Sequence, residues 1–263
     1  MELTLEQAIA NATGYEEQLA RATKDLEQAE PNSRQALQCR MRIREAKMML
    51  KWYQGDISRD SQGNITYQDS GVIKKLAGEA QRLKESSNLG ERFLNRTFGN
   101  FEVKKDPNAY QQCRAYSERE MLFSDKRNGL LIFGGIGSGK THLAAAIANA
   151  FISRGIPVLF GTYSEHLEKL REEFDSKKRE YLSMMKNTPV LVLDDIGKER
   201  KSEWTQQIIF DVVNYRYEHL LPTIITTNFD ADGLANHVGG AVWSRLYEMC
   251  SAVATSGKDY RQR

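Results

Sequence analysis

The run GGIGSGKT, Gly134 to Thr141, has the spacing G-x-x-x-x-G-K-T. Glycines there let backbone N–H groups turn inward around an anion, and a helix starting at the lysine adds its positive end. The chemistry is the cradling of a nucleoside triphosphate. Gly134, Gly135, Ile136, Gly137, Ser138 and Gly139 wrap the phosphates, Lys140 reaches the β- and γ-phosphates, and Thr141 offers its hydroxyl to Mg²⁺. His142 follows directly and is counted with the loop. The pattern requires a strand before it and a helix after it. The apolar GLLIF and the alanine-rich HLAAAIANAF meet that requirement.

Further on, VLVLDDIG ends an apolar run in Asp194 and Asp195. Adjacent carboxylates repel one another and lose solvation, a cost that a bound cation offsets at Asp194. Asp195, one residue on, points elsewhere and is placed to orient or deprotonate a water attacking the γ-phosphate. The plainer alternative is a cap on the next helix or turn. PTIITTNF ends in Asn228, whose amide is suited to hold the same water or simply to start the turn at Phe229 and Asp230.

These residues need a scaffold of strands. From about residue 91, short β-rich runs alternate with helical segments, and strands are expected at 129–133, 157–160, 189–193, 222–226 and 251–255. Such alternation predicts an α/β core, a central parallel sheet with helices on both faces. Residues 1–90 read differently. Leu5, Ala12, Leu19 and Leu26 recur every seven residues, and Leu37, Met41, Met48 and Trp52 repeat beyond a Pro31-Asn32-Ser33 break. Both segments predict amphipathic helices, joined as a hairpin. The first 30 residues hold seven acids against two bases, and residues 32–53 hold six bases against one acid, so antiparallel helices would attract. Residues 54–71 are polar and predict a loop, a short helix is expected over 72–86, and ESSNLG marks a boundary. The organisation expected is a small helical domain over 1–90 and an ATPase domain over 91–263.

Composition excludes several classes. The 263 residues are 40% hydrophobic and 27% charged with net charge +2, so contact with nucleic acid must use local patches. No apolar run approaches the roughly 18 residues of a membrane span, and the acidic, amphipathic start is unlike a secretory leader. Cys39, Cys113 and Cys250 stand far apart, which argues against a zinc ribbon or disulfide framework and for a reducing cytoplasm.

The order of motifs resembles the DnaC/IstB-type AAA+ ATPases, the clade that includes bacterial and phage replicative helicase loaders. It rests on the phosphate loop, the acid pair, TTN, the late VWSRLYEM and the terminal GKDYRQR, with GERFLNRTFGNFEVKKDPNAYQQCRAY leading in. The resemblance implies that Asp194 and Asp195 fill the Walker B positions and that Asn228 is sensor 1. It also implies that Arg245 is an arginine finger reaching a neighbouring subunit's γ-phosphate and that Arg261 is sensor 2. A guanidinium suits both tasks because it neutralises charge on the transferring group. Three departures stand out. The second acid is Asp where Glu is common, no length remains after Arg261 for a helical lid domain, and residues 1–90 lack the cysteine set of a zinc-bearing N-terminal domain.

The implied function is ATP-dependent loading of a hexameric replicative helicase, held by residues 1–90, onto single-stranded DNA, with slow hydrolysis releasing the loader. YSEHLEKLREEFDSKKREYLSMMKN spans two helices' length, and related initiators and loaders face DNA with an extra helix at this place. Phe174 would stack, and Lys177, Lys178 and Arg179 would meet phosphates. Core packing of Phe174 and a merely solvated triplet are the structural alternatives. Lys198, Arg200 and Lys201 form a weaker basic patch. The rival functions are a transposition helper of the IstB kind on duplex DNA and a small-molecule P-loop kinase.

Overall fold

Runs of Val, Ile, Leu and Thr alternating with helix-forming segments fold here as strand and helix in strict succession. The structure is a computed structural model and describes residues 5–28, 43, 46, 57–59, 65–67, 85–119, 122, 125–154, 156–172 and 175–256. Residues 1–82 form one compact unit and residues 83–263 another.

In the first unit, α1 (Leu5–Glu27) occupies the span expected for the first amphipathic helix. The second helix, over 37–52, lies outside the described residues except for Ile43 and Ala46, both helical, and of 72–86 only Glu85 and Ser86 are described. The stretch 54–71, expected as a loop, carries a hairpin. Strands β1 (Ile57–Arg59) and β2 (Ile65–Tyr67) pair antiparallel, Ile57 opposite Tyr67. Both strands are rich in β-formers, which outweigh the polar residues around them.

The second unit begins before the boundary expected at residue 90. Phe160 N donates to Ser87 O at 2.8 Å, and Asn88 Nδ2 donates to Phe160 O at 3.1 Å. A short helix α2 (Glu91–Leu94) and α3 (Pro107–Ser117) lead to the sheet. Asp106 caps α3 by accepting Ala109 N, with Pro107 at the first helical position.

The sheet strands are β3 (Gly129–Gly134), β4 (Val158–Thr162), β5 (Val190–Ile196), β6 (Thr223–Thr227) and β7 (Cys250–Thr255). They lie in the order β4-β5-β6-β3-β7, all parallel. Every crossover carries helix: α4 (Lys140–Ser153), α5 (Tyr163–Glu172) with α6 (Asp175–Asn187), α7 (Glu203–Glu218), then α8 (Ala231–Val238) with α9 (Gly240–Met249). Successive strand side chains face opposite sides. Leu131, Leu159, Leu191, Leu193 and Ile225 join one core with α5 to α9. Helix α4 packs on β3 to β6, and its Ala144, Ala145, Ala146 and Ala148 are small enough for close approach. This is the expected α/β architecture. Among the described residues β7 is the last element, with no helical lid behind it.

Candidate nucleotide-binding site

The carboxyl ends of β3, β5 and β6 converge, and because β6 lies between β3 and β5 its tip lands between the phosphate loop and the acids. In open α/β sheets ligands bind at this edge. The loop after β3 turns through positive φ at Gly134 (154°), Gly137 (75°) and Gly139 (92°), and α4 starts at Lys140. Lys140 is buried, and its Nζ donates to Gly134 O (2.8 Å), Gly135 O (2.7 Å) and Asn228 Oδ1 (2.8 Å). Asn228 is therefore tied to the loop rather than serving only as a turn residue.

Asp194 is 1% exposed. Thr141 Oγ1 lies 3.1 and 3.0 Å from its two carboxylate oxygens, and Thr226 Oγ1 donates to Oδ1 at 2.6 Å. Burial pushes the Asp194 carboxyl up to about 6, with the Asp195 charge adding to the rise and the hydroxyl bonds opposing it. Asp195 does not share this environment. The β5–β6 register slips between Leu193 and Ile196, and Asp195 sits in the slip at φ 55°, its N–H on Thr226 Oγ1 at 2.8 Å. Such a bulge re-aims a side chain. The carboxylate turns toward Lys198 and caps no helix.

The cleft over these residues measures about 810 Å³. Ile136, Gly137, Gly139, Lys140, Thr141, His142, Asp194, Asp195 and Asn228 line it, while Gly134 and Gly135 are not among the lining residues and meet it only through the carbonyls that accept from Lys140. Ser138 turns its side chain away, fully buried. The opposite wall was not assigned from sequence: Arg92, Phe93, Arg96, Asn100, Phe101 and Glu102 of the lead-in segment. His142 fastens that wall, with Nε2 at 3.1 Å from both Thr97 O and Asn100 Oδ1 and Nδ1 at 3.4 Å from Arg96 Nη1. Thr226 was also missed, although it stands in the TTN run.

The residues present fit a triphosphate and Mg²⁺. Three glycines at positive φ turn the loop amides, the buried Lys140 holds its Nζ against the loop carbonyls, and Thr141 with Asp194 forms the hard oxygen set that Mg²⁺ takes.

Arg245 is not among the residues lining this cleft. On α9 its Nε donates to Asn214 Oδ1 at 2.6 Å, Nη1 donates to Ala241 O at 2.8 Å, and its guanidinium faces the Phe210 ring at 5.3 Å. Arg261 and Phe174 lie outside the described residues. Lys177 and Arg179 are exposed on α6, and Lys178 Nζ lies 5.9 Å from the Trp204 ring. Arg171 covers the same ring at 4.7 Å. The expected basic triplet thus gains an aromatic neighbour from another element. In the weaker patch Lys198 pairs with Asp195, and Lys201 Nζ donates to Asn236 O at 2.6 Å.

Sheet order and loop together define a P-loop nucleotide-binding domain of the AAA+ type. Residues 72–263 match the IstB-like ATP binding protein family, and the chain belongs to it. It is 31% identical over 186 residues to the phage-like element PBSX protein XkdC of Bacillus subtilis, covering 68% of each chain. It is 31% identical to the replicative helicase loader DnaI of Bacillus subtilis over 66% of this chain and 58% of that one. For the replicative helicase loader DnaC of Escherichia coli the values are 29%, 68% and 76%. A crystal structure of the DnaC helicase loader superposes with TM-score 0.55 at 30% identity, covering 64% of this chain and all of that one. The replication initiator DnaA bound to AMPPCP and single-stranded DNA gives 0.56 at 25%, covering 65% and 52%. No described helix is long and apolar enough to cross a membrane.

Proposed function

We propose that the chain is an ATP-driven loader that places a hexameric replicative helicase on single-stranded DNA. The observation that carries this reading is the likeness of the nucleotide-binding unit to DnaI and DnaC, both named replicative helicase loaders. ATP, when bound, supplies the γ-phosphoryl group whose transfer to water drives the cycle. Thr141 and Asp194 hold Mg²⁺, and Lys140 exchanges its loop carbonyls for phosphate oxygens. Asp195 and Asn228 orient the attacking water. Arg245 lies off its own cleft and serves a neighbouring subunit's nucleotide, while Arg261 serves its own.

Residues 1–90 hold the helicase, and ATP binding and slow hydrolysis switch affinity for helicase and DNA. Trp204, partly buried against the core, gathers Arg171 and Lys178 over its ring, and this cluster of cations supports a single-stranded partner whose phosphates they can meet. Lys177 and Arg179 extend that surface.

The test is capture by the tagged 263-residue chain of the replicative helicase from the same cells, with and without ATP. ATP-sensitive capture, lost when residues 1–82 are deleted, is expected. No capture, or capture indifferent to that deletion, overturns the loader reading. Recruitment of a transposase to long duplex DNA replaces it with the IstB-type helper, and phosphorylation of a small acceptor replaces it with a kinase.

A further inference from the structure

The phosphate loop is braced from beneath by a residue of a different strand. Thr255, at the end of β7, stands directly across from Gly134 in the parallel register. Its Oγ1 lies 2.9 Å from Phe133 O and 2.6 Å from Ser138 Oγ. A carbonyl only accepts, so the threonine proton goes to Phe133 O and Ser138 must donate to Thr255. One hydroxyl thereby ties the residue before the loop to the residue near its end.

Two further observations place the brace inside the loop's shape. A Cβ at Gly134 would meet Thr255 Oγ1 at 2.0 Å, so the glycine leaves room for this hydroxyl. Ser138 is 0% exposed, so its side chain is turned to the sheet and only its backbone remains for an anion. Thr255 is itself held in place, because the next residue, Ser256, donates N–H and hydroxyl to Asp106 Oδ2 at 2.8 and 3.3 Å. Amides that cradle phosphates act by being fixed in advance, with little reorganisation on binding.

We propose that Thr255 is a positioning residue for phosphate binding, acting through Ser138 to hold the loop amides in their inward-facing arrangement. The proposal rests on reading the loop as the ATP site. It concerns affinity, so the effect falls on nucleotide binding more than on turnover at saturation.

The experiment is titration of the 263-residue chain with a fluorescent ATP analogue and Mg²⁺, beside thermal unfolding without nucleotide. Thr255→Val keeps the β-branched shape and removes the hydroxyl, leaving the Ser138 hydroxyl and Phe133 carbonyl without it. Expected is binding weaker by about tenfold, which corresponds to about 1.4 kcal/mol. Thr255→Ser restores the hydroxyl and recovers the affinity, which a packing role for the methyl group would not do. Ser138→Ala leaves the Thr255–Phe133 bond in place and cuts only the brace, and about fivefold weakening is expected on the scale of one buried hydrogen bond. If Thr255→Val does not fold, the Ser138→Ala titration decides. Wild-type affinity in either folded variant, or weakening in Thr255→Ser equal to that in Thr255→Val, overturns the proposal. Failure of the unaltered chain to bind the analogue overturns the ATP-site reading instead.

Discussion

Lys198 reaches back three residues to close an ion pair on Asp195, Nζ to Oδ2 at 2.5 Å. Asp194, the residue before, is held by hydroxyls of Thr141 and Thr226. The adjacent acids therefore have different partners. The lysine side chain is 60% exposed, so the pair is screened by water and opens at little cost.

Asp195→Asn keeps the side-chain shape and removes the charge. Turnover is expected to fall by about 10²-fold or more while ATP affinity stays within about twofold. Steady-state phosphate release beside equilibrium binding decides it, and unchanged turnover would return Asp195 to a structural role.

Arg245→Ala separates a finger acting between subunits from one acting within its own. Its cage of Asn214 and Phe210 lies off the cleft, so nucleotide binding by the variant is expected to persist. Turnover should drop by about 10²-fold or more. Mixing this variant with Asp195→Asn should restore part of the activity, since each supplies what the other lacks. No restoration at any mixing ratio removes the trans role.

Trp204→Ala removes the ring that Arg171 and Lys178 lie over and should weaken binding to an unstructured deoxythymidine oligonucleotide by about 1 kcal/mol, the scale of a lost cation–π contact that held the cations in place. Lys177→Ala should instead flatten the salt dependence, by a log–log slope of about 0.7. Equal oligonucleotide affinity in the folded Trp204 variant moves the strand elsewhere.

His166 gives the fold an acid limit. Fully buried, its Nε2 faces Val192 O at 3.4 Å, and its Nδ1 is 2.8 Å from the Tyr181 hydroxyl. Both contacts suit the neutral ring, donating at Nε2 and accepting at Nδ1. Burial pushes its pKa down to about 4. The unfolded chain takes up a proton near the ordinary value of about 6.5 and the folded chain does not. Stability from this group is therefore complete above pH 6.5 and is lost as pH falls toward 4, on the order of 3 kcal/mol in all. Urea unfolding at pH 7 and pH 5 should show the loss, and His166→Gln should flatten it. An identical pH slope in that variant would clear His166 of the effect.

Arg216 is fully buried on α7 and donates to Met185 O, Lys186 O, Thr188 O, Pro189 O, Pro222 O and Thr223 Oγ1. It fastens the end of α6 to the starts of β5 and β6 with no carboxylate among these partners. Burial pushes its pKa down to about 9, yet the charge remains at neutral pH. Arg216→Met strands several buried carbonyls, and a loss of about 3 kcal/mol or more is expected in chemical denaturation. A loss under about 1 kcal/mol would mean that water or backbone shifts satisfy those carbonyls.

The sheet, the phosphate loop and the difference between the acids were legible in unequal degree. GGIGSGKT was legible because its function demands glycine conformations and one lysine at fixed spacing. The strands were legible as apolar runs, each within a residue or two at its start. The 54–71 hairpin was not, because three-residue strands carry too little pattern against a polar background. Trp204 was missed because Arg171, Lys178 and the ring come from three helices that only packing brings together.

The sequence by itself determined which residues can cradle phosphates and hold a cation, since those properties belong to residue type and local spacing. Only the tertiary structure decided where neighbouring strands put them. The register slip turns Asp195 away from Asp194, β6 carries Asn228 to Lys140, and β7 carries Thr255 beneath Gly134. Strand order and register depend on pairings between segments far apart in the chain, and no local run of residues encodes them.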